Sequence, residues 1–340
     1  MKITSTDIAR LAGVHRSTVD RVIHERGGVA PATKRKILQI IDEYNYKPNI
    51  MSRARLRKAK SLHIEALILA VDAVPDMKAG LAEAAGDYQD FSCRINVEAT
   101  PLLEPETQAE ALRRAVKRRP DAIILQALHA DPVQAAIDEV VARGIPVVTI
   151  NSDLPESRRQ LFIGEAMDRS GSIAARLLGE LIGGKGQVAS ITGEQTLVSV
   201  QERASGFRRT MAEIFPAITV LPEITVDESP MSTFNKVVDL LLDHPQLQGF
   251  FMSCGGVTAC CRALEELGKE KDLRVITCET YPSIQQLMHK GIIDATLGSD
   301  LQEQSYLAAK FIILEHFFER PMPGGKYFLP TRIFVKENIG

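Results

Sequence analysis

The sequence predicts an all-α helix-turn-helix unit joined to a larger, two-lobed α/β body, and three observations predict it. Residues 1–60 hold 14 Lys and Arg against 5 Asp and Glu, a net charge of +9, whereas the rest of the chain carries −11 and the whole chain −2. Two short amphipathic stretches flank Gly13, with a third close behind. From residue 62 onward, short apolar runs alternate with amphipathic helical stretches, the rhythm of parallel sheets. A chain of 340 residues has room for two or three domains. The divisions read as a helical unit at 1–45, a linker or hinge helix at 46–61 and the body at 62–340.

In chain order, Thr6 can cap a first helix whose apolar positions are Ile8, Leu11 and Ala12 and which ends at Gly13. Val14 and His15 make the turn. A second helix follows with Val19, Val22 and Ile23 on its inner face. Pro31 suits the first turn of a third, burying Ile37, Ile40, Ile41 and Tyr44. Two short helices about a tight glycine turn, backed by a third, form a helix-turn-helix, whose second helix can enter the major groove of DNA. Pro48 stops the third helix. The stretch "YNYKPNIMSRARLRKAKS" (44–61) holds five Arg and Lys between 53 and 60 and little to pack, so it reads as a linker that could order on DNA.

In the body, the strand candidates are 64–71, 94–99, 121–127, 145–150, 186–192, 249–253, 274–278 and 294–298, with helical stretches between most of them. Some 280 residues is long for one such sheet, which implies two similar lobes. A ligand belongs in the cleft between them, at the carboxyl ends of the strands.

Composition narrows the function. The chain is 45% hydrophobic and 25% charged, ordinary for a soluble globular protein, and has no apolar run of the roughly eighteen residues that a membrane span needs. "MKITSTDIAR" lacks the apolar core of a secretory signal, so a cytoplasmic location is expected. Five cysteines without metal-site spacing read as reduced thiols, and neither metal nor cofactor is expected. "GGKG" (183–186) lacks the spacing of a P-loop and its Ser or Thr after the lysine, so it reads as a helix-to-strand turn. No Gly-x-Ser-x-Gly or His-Glu-x-x-His occurs. An enzyme on the α/β scaffold is therefore a weaker reading, as is a ligand sensor without a DNA role, against which the basic head counts.

The segments "TDIARLAGVHRSTVDRVIH" (6–24), "VAPATKRKI" (29–37), "YNYKPN" (44–49), "NSD" (151–153) and "ERASGF" (202–207) resemble the lactose-repressor (LacI) family of bacterial transcription regulators. The resemblance covers nearly the whole chain and is more specific in the head than in the body. It implies a periplasmic-binding-protein-like (type I) body, a homodimer, and a repressor whose partners are a double-stranded DNA operator and a small-molecule effector, with no membrane.

It also implies site residues. Arg16 and Ser17 are expected to contact base edges, and Thr4, Ser5, Thr18, Arg21, His24 and Thr33 phosphates. Arg16 fits guanine as a bidentate donor, and the Thr18 hydroxyl and first-turn amides fit phosphate. Asn49, Ser52 and Arg53 match the family's linker helix. His15 stands where a small capping residue is usual, and either caps poorly or reaches a base or phosphate. Asp20 replaces a usual serine. It either pairs with Arg16 or His24, both four residues away, or accepts from cytosine N4. Where the family inserts a leucine into the minor groove, this chain has Arg55, then Leu56.

In the body the resemblance implies effector contacts from Asp72, Asp153, Arg203, Glu279, Ser299 and Asp300. "SCGG" (253–256) replaces an Ala-Asn-Asp segment and opens the next helix with a glycine pair, whose N-terminus would favour an anionic or strongly polar group. The effector class stays open among sugar, sugar acid, polyol and sugar phosphate.

Overall fold

The computed structural model describes all residues except 1–3, 24–27, 44–60, 72–73, 103, 194–197, 299 and 340. It divides into two compact units, residues 1–60 and 61–340.

In the first unit, α1 (Ser5–Ala12), α2 (Arg16–Ile23) and α3 (Pro31–Glu43) pack around Ile8, Ala9, Ala12, Val19, Val22, Ile37 and Ile40. The N-cap of α1 is Thr4, not Thr6. The Thr4 Oγ1 accepts from the Asp7 amide, and the Asp7 carboxylate accepts from the Thr4 amide, a reciprocal capping box. Leu11, expected inside, is 42% exposed, and Ala9 takes its place. At about 100° per residue, Leu11 lies roughly 60° behind Ile8, on the side away from Ala9 and Ala12. Gly13 ends α1 in the left-handed region (φ +70°), which lets its amide and that of Val14 reach back to the last carbonyls of the helix. Tyr44 and the linker lie outside the described residues.

The body contains two sheets. The first has the order β12-β5-β4-β3-β1-β2, all parallel: β1 (Ser61–Leu69), β2 (Ser92–Thr100), β3 (Ala122–Leu125), β4 (Val147–Ile150), β5 (Leu161–Glu165) and β12 (Gly325–Leu329). The second has the order β13-β11-β10-β9-β6-β7, with β8 also on β6: β6 (Gly186–Gly193), β7 (Ile218–Val220), β8 (Ile224–Val226), β9 (Leu247–Met252), β10 (Arg274–Cys278), β11 (Ala295–Gly298) and the antiparallel β13 (Arg332–Phe334). Ser61, assigned to the linker by sequence, pairs with Ser92 and opens β1. The short strands β5, β7, β8, β12 and β13 were not expected. β7, β8 and β13 have three residues each, and β12 is an exposed edge, so neither length nor burial marks them in the sequence.

The chain crosses between the lobes three times: after β5, after β11 and between β12 and β13. The helices α4 (Val74–Asp87), α5 (Pro105–Lys117), α6 (Asp131–Ala142) and α12 (Leu301–Phe318) serve the first lobe, and α7 (Met167–Leu181), α8 (Val198–Ile214), α9 (Pro230–Asp243), α10 (Val257–Glu266) and α11 (Pro282–His289) the second. The "GGKG" segment is the turn from α7 to β6, with Gly183 and Gly184 both at φ +75°. Two interlocked glycines bring α7 and α8 together. A Cβ on Gly171 would stand 1.9 Å from the Arg203 carbonyl oxygen, and one on Gly206 would stand 1.9 Å from that of Asp168. The glycine of "ERASGF" thus sets the depth at which α8 sits.

The body has its own buried cores on the faces of both sheets. Removal of residues 1–60 is therefore expected to leave a body that unfolds cooperatively, with mixed α/β circular dichroism. A truncated chain that aggregates or melts without a transition would place part of its core in the head.

Candidate functional site

On α2, the site residues His15, Arg16, Ser17 and Arg21 are exposed and Thr18 half-buried. His15 does cap the helix: its Nδ1 accepts from the Ser17 amide at 3.3 Å and lies 2.8 Å from Ser17 Oγ. The Thr18 amide donates to the His15 carbonyl at 2.8 Å. Two first-turn amides expected to meet phosphate are therefore already engaged within the helix. Thr4 is likewise committed, since its hydroxyl lies 2.6 Å from Asp7 Oδ2 and donates there. Ser5 and Thr33 are half-buried on the first turns of α1 and α3. Asp20 Oδ2 stands 4.0 Å from Arg16 Nε, an exposed pair one turn apart. His24, Asn49, Ser52, Arg53, Arg55 and Leu56 lie outside the described residues.

In the body, a cavity of about 680 Å³ opens at the carboxyl ends of the strands of both sheets. The first lobe contributes Gln126 after β3 and Asn151 after β4. The second contributes Arg203 from α8, Ser253 to Gly256 after β9, and Glu279 after β10. Arg203 and Glu279 are brought together: Arg203 Nη2 donates to Glu279 Oε1 at 3.1 Å, with the arginine side chain 6% exposed. Burial works against the guanidinium charge, but the Glu279 and Glu165 carboxylates favour it, and its pKa lies above the ordinary value. Burial pushes the Cys278 thiol up to about 12, so that side chain is neutral and inert at pH 7. The Arg203–Glu279 ion pair is thus largely withdrawn from solvent and lines the cleft.

Asn151 (φ +60°) and Glu279 (φ +73°) are both left-handed non-glycine residues at strand ends, one in each lobe. The Asn151 amide bonds the Ile163 carbonyl and the Glu279 amide the Leu297 carbonyl, each on the neighbouring strand. Such backbone strain persists only where neighbours hold it, and it clusters at binding sites.

Two of the other expected effector residues, Asp153 and Asp300, are placed elsewhere. Asp153 faces a second cavity of about 150 Å³, and its carboxylate is engaged by Arg159 Nη2 at 2.7 Å, Thr149 Oγ1 at 2.9 Å and the Leu154 amide at 2.9 Å. The turn at Asn151 is the reason: that residue, not Asp153, meets the large cavity. Asp300 caps α12 through the Glu303 amide at 2.9 Å and pairs with Arg332 at 2.8 Å. Asp72 and Ser299 lie outside the described residues.

Glu228, absent from the sequence reading, lies beside the first glycine of that pair, Gly255, while Gly256 faces Thr233. Cβ atoms on Gly193 and Gly255 would stand 2.4 and 2.3 Å from its carboxylate oxygens. A carboxylate of the protein thus lies beside the loop that leads into α10. Met231, Phe234, Val257 and Ile284 add apolar lining to the same cavity, with Arg262 over the Phe234 ring at 5.5 Å and paired to Glu266 at 2.8 Å. Glu228 carried no sequence signal because it follows a three-residue strand in an irregular loop. Asn151 did, as the first residue of "NSD".

Residues 72–314 match the model of the periplasmic binding protein domain, and residues 4–49 that of the lacI family of bacterial regulatory proteins. The ribose operon repressor of Halalkalibacterium halodurans is 24% identical over 343 aligned positions, covering 98% of this chain and 96% of that protein. The HTH-type transcriptional regulator DegA of Bacillus subtilis is 25% identical over 214 positions, 63% of this chain and 62% of that protein, so this match spans less than two thirds of DegA. In fold, the body is similar to an ABC transporter solute-binding protein of Burkholderia graminis in complex with D-arabinose, with a TM-score of 0.77 at 23% identity, covering 82% of this chain and 97% of that one.

Proposed function

Belonging to the periplasmic binding protein domain family and bearing a lacI-family region at its N-terminus, the chain is, we propose, a DNA-binding transcription repressor whose operator affinity is set by a small sugar-like effector held between the two lobes. The observation that carries this reading is the pairing, in one chain, of a basic helix-turn-helix unit with a cleft lined by the part-buried Arg203–Glu279 pair. A guanidinium fork beside a carboxylate offers the alternating donors and acceptors that a polyhydroxylated molecule needs. Asn151 and Gln126 add an amide each from the opposite lobe. The family relation favours a homodimer acting in the cytoplasm and a regulator rather than an enzyme. Among the described residues, no group of side chains is arranged to hold a metal, and no helix is long and apolar enough to cross a membrane.

The effector acts by binding open and closed bodies unequally, since equal affinity would shift nothing. Because the chain crosses between the lobes three times, closure over the Arg203–Glu279 pair moves the lobes about those crossings.

The test has two arms on the intact protein. Selection from random duplex DNA should enrich one sequence with two-fold symmetry, and thermal-shift screening of neutral sugars, sugar acids, polyols and sugar phosphates should yield a stabilising compound that alters binding to that sequence. Enrichment of no sequence, or a stabilising compound without effect on DNA binding, would overturn the reading. Within it, Arg16→Ala is expected to weaken binding to the selected sequence by about 1–3 kcal/mol while random DNA loses less. Equal losses on both, by fluorescence anisotropy, would make Arg16 a phosphate contact only.

A further inference from the structure

The structure assigns Asp20 a part in sequence reading, as the residue that orients Arg16 toward its base; this rests on the DNA-binding reading above. Asp20 is out of place by ordinary rules. On a DNA-facing helix in a unit of net charge +9, a carboxylate repels the phosphates its neighbours attract. It does not serve helix stability either. The first turn of α2 holds no acidic residue, and the cation of the pair precedes the anion. Both charges therefore oppose the helix dipole, and this order is the weaker one for a pair four residues apart.

The geometry gives the carboxylate another use. Asp20 Oδ2 addresses Arg16 at Nε, the edge of the guanidinium nearest the main chain. That leaves the two terminal nitrogens pointing onward as parallel donors, the arrangement that matches O6 and N7 of guanine. Both side chains are about half exposed or more in the free protein (63% and 45%), and at 4.0 Å they form a loose ion pair rather than a hydrogen bond. Exclusion of water on docking strengthens such a pair, because the attraction grows as the local dielectric falls. The cap beside it contributes, since the His15–Ser17 contact fixes the turn from which Arg16 projects. Arg16 then reaches the groove with one orientation favoured, and Asp20 offsets its own repulsion from phosphate by sharpening the choice of base.

The experiment is selection from random duplex DNA, with sequencing of the enriched pools, for the full chain and for Asp20→Asn, Arg16→Ala and the Arg16→Ala/Asp20→Asn double variant. Asp20→Asn keeps the shape of the side chain, and circular dichroism checks that its head is folded. The expected result is that Asp20→Asn lowers the guanine preference about fivefold or more at the same base pair that Arg16→Ala affects. Binding to random DNA should hold or rise. In the Arg16→Ala background, Asp20→Asn should change the preference by less than about twofold. A guanine preference within about twofold of the parent in Asp20→Asn overturns the inference. An Asp20→Asn effect at a different base pair, additive with Arg16→Ala, also overturns it and makes Asp20 a direct reader of cytosine. Enrichment of no sequence by the parent chain would instead overturn the DNA-binding reading itself.

Discussion

Arg203→Ala is expected to abolish the effector response and to destabilise the body by about 3–5 kcal/mol, because it leaves the Glu279 and Glu165 carboxylates without their buried counter-charge. The melting temperature should fall by roughly 10 °C. DNA binding in the absence of effector should survive at temperatures where the variant stays folded, since Arg203 belongs to a different unit from the helix-turn-helix. Titration of the selected DNA with the compound found by thermal-shift screening would then show one affinity throughout. Arg203→Lys should recover part of the stability but little of the response, because an ammonium offers a point charge where the fork offered paired donors. An Arg203→Ala variant that responds as the parent does would remove Arg203 and Glu279 from the effector site.

Gly206→Ala is the second large effect. The added Cβ would stand 1.9 Å from the Asp168 carbonyl oxygen, 2.8 Å from its carbon and 3.0 Å from its Cα, all backbone atoms that cannot swing aside. The helices α7 and α8 must move apart, at a cost of about 3 kcal/mol, the upper end of ordinary overpacking. The consequence reaches the cleft, because Arg203 lies one turn before Gly206 on α8 and its guanidinium must still meet Glu279. Both melting temperature and effector affinity should therefore fall, and Gly171→Ala should do the same, since its Cβ would meet the Arg203 carbonyl oxygen at 1.9 Å. The two changes push apart the same pair of helices, so the double variant should lose less than the sum. Calorimetric melting together with effector titration checks both. A Gly206→Ala protein that melts with the parent would show that α7 and α8 do not approach as described.

Much of this was legible in the chain. The charge split and the glycine-broken helices marked the head, and the alternation of apolar runs with amphipathic stretches marked a two-sheet body with its site at the strand ends. Local rules suffice there, because periodicity and turn residues act over a few positions. They failed where two residues of like type compete for one role, and where the determinant was remote. Thr6 and Thr4 are equally good caps by type, and Thr4 is chosen because Asp7 stands three residues beyond it to close the box. Asp153 and Asn151 are both plausible polyol ligands. The left-handed turn at Asn151 and the presence of Arg159 six residues beyond Asp153 decide which one meets the cavity.

By itself, then, the sequence determined the class of each unit, and its family resemblance placed Arg203 and Glu279 in one cleft. Only the tertiary structure decided how the cleft is made. Asp300 was drawn away to cap α12 and hold Arg332, Asp153 to hold Arg159, and Glu228 was brought from an irregular loop onto Gly193 and Gly255. The physical reason is that a charged side chain in a partly buried site goes to the counter-charge or donor that the fold places within reach. Arg159, Gly255, Arg332 and Gly193 lie 6, 27, 32 and 35 residues away along the chain, farther than the rules of capping and turn formation reach.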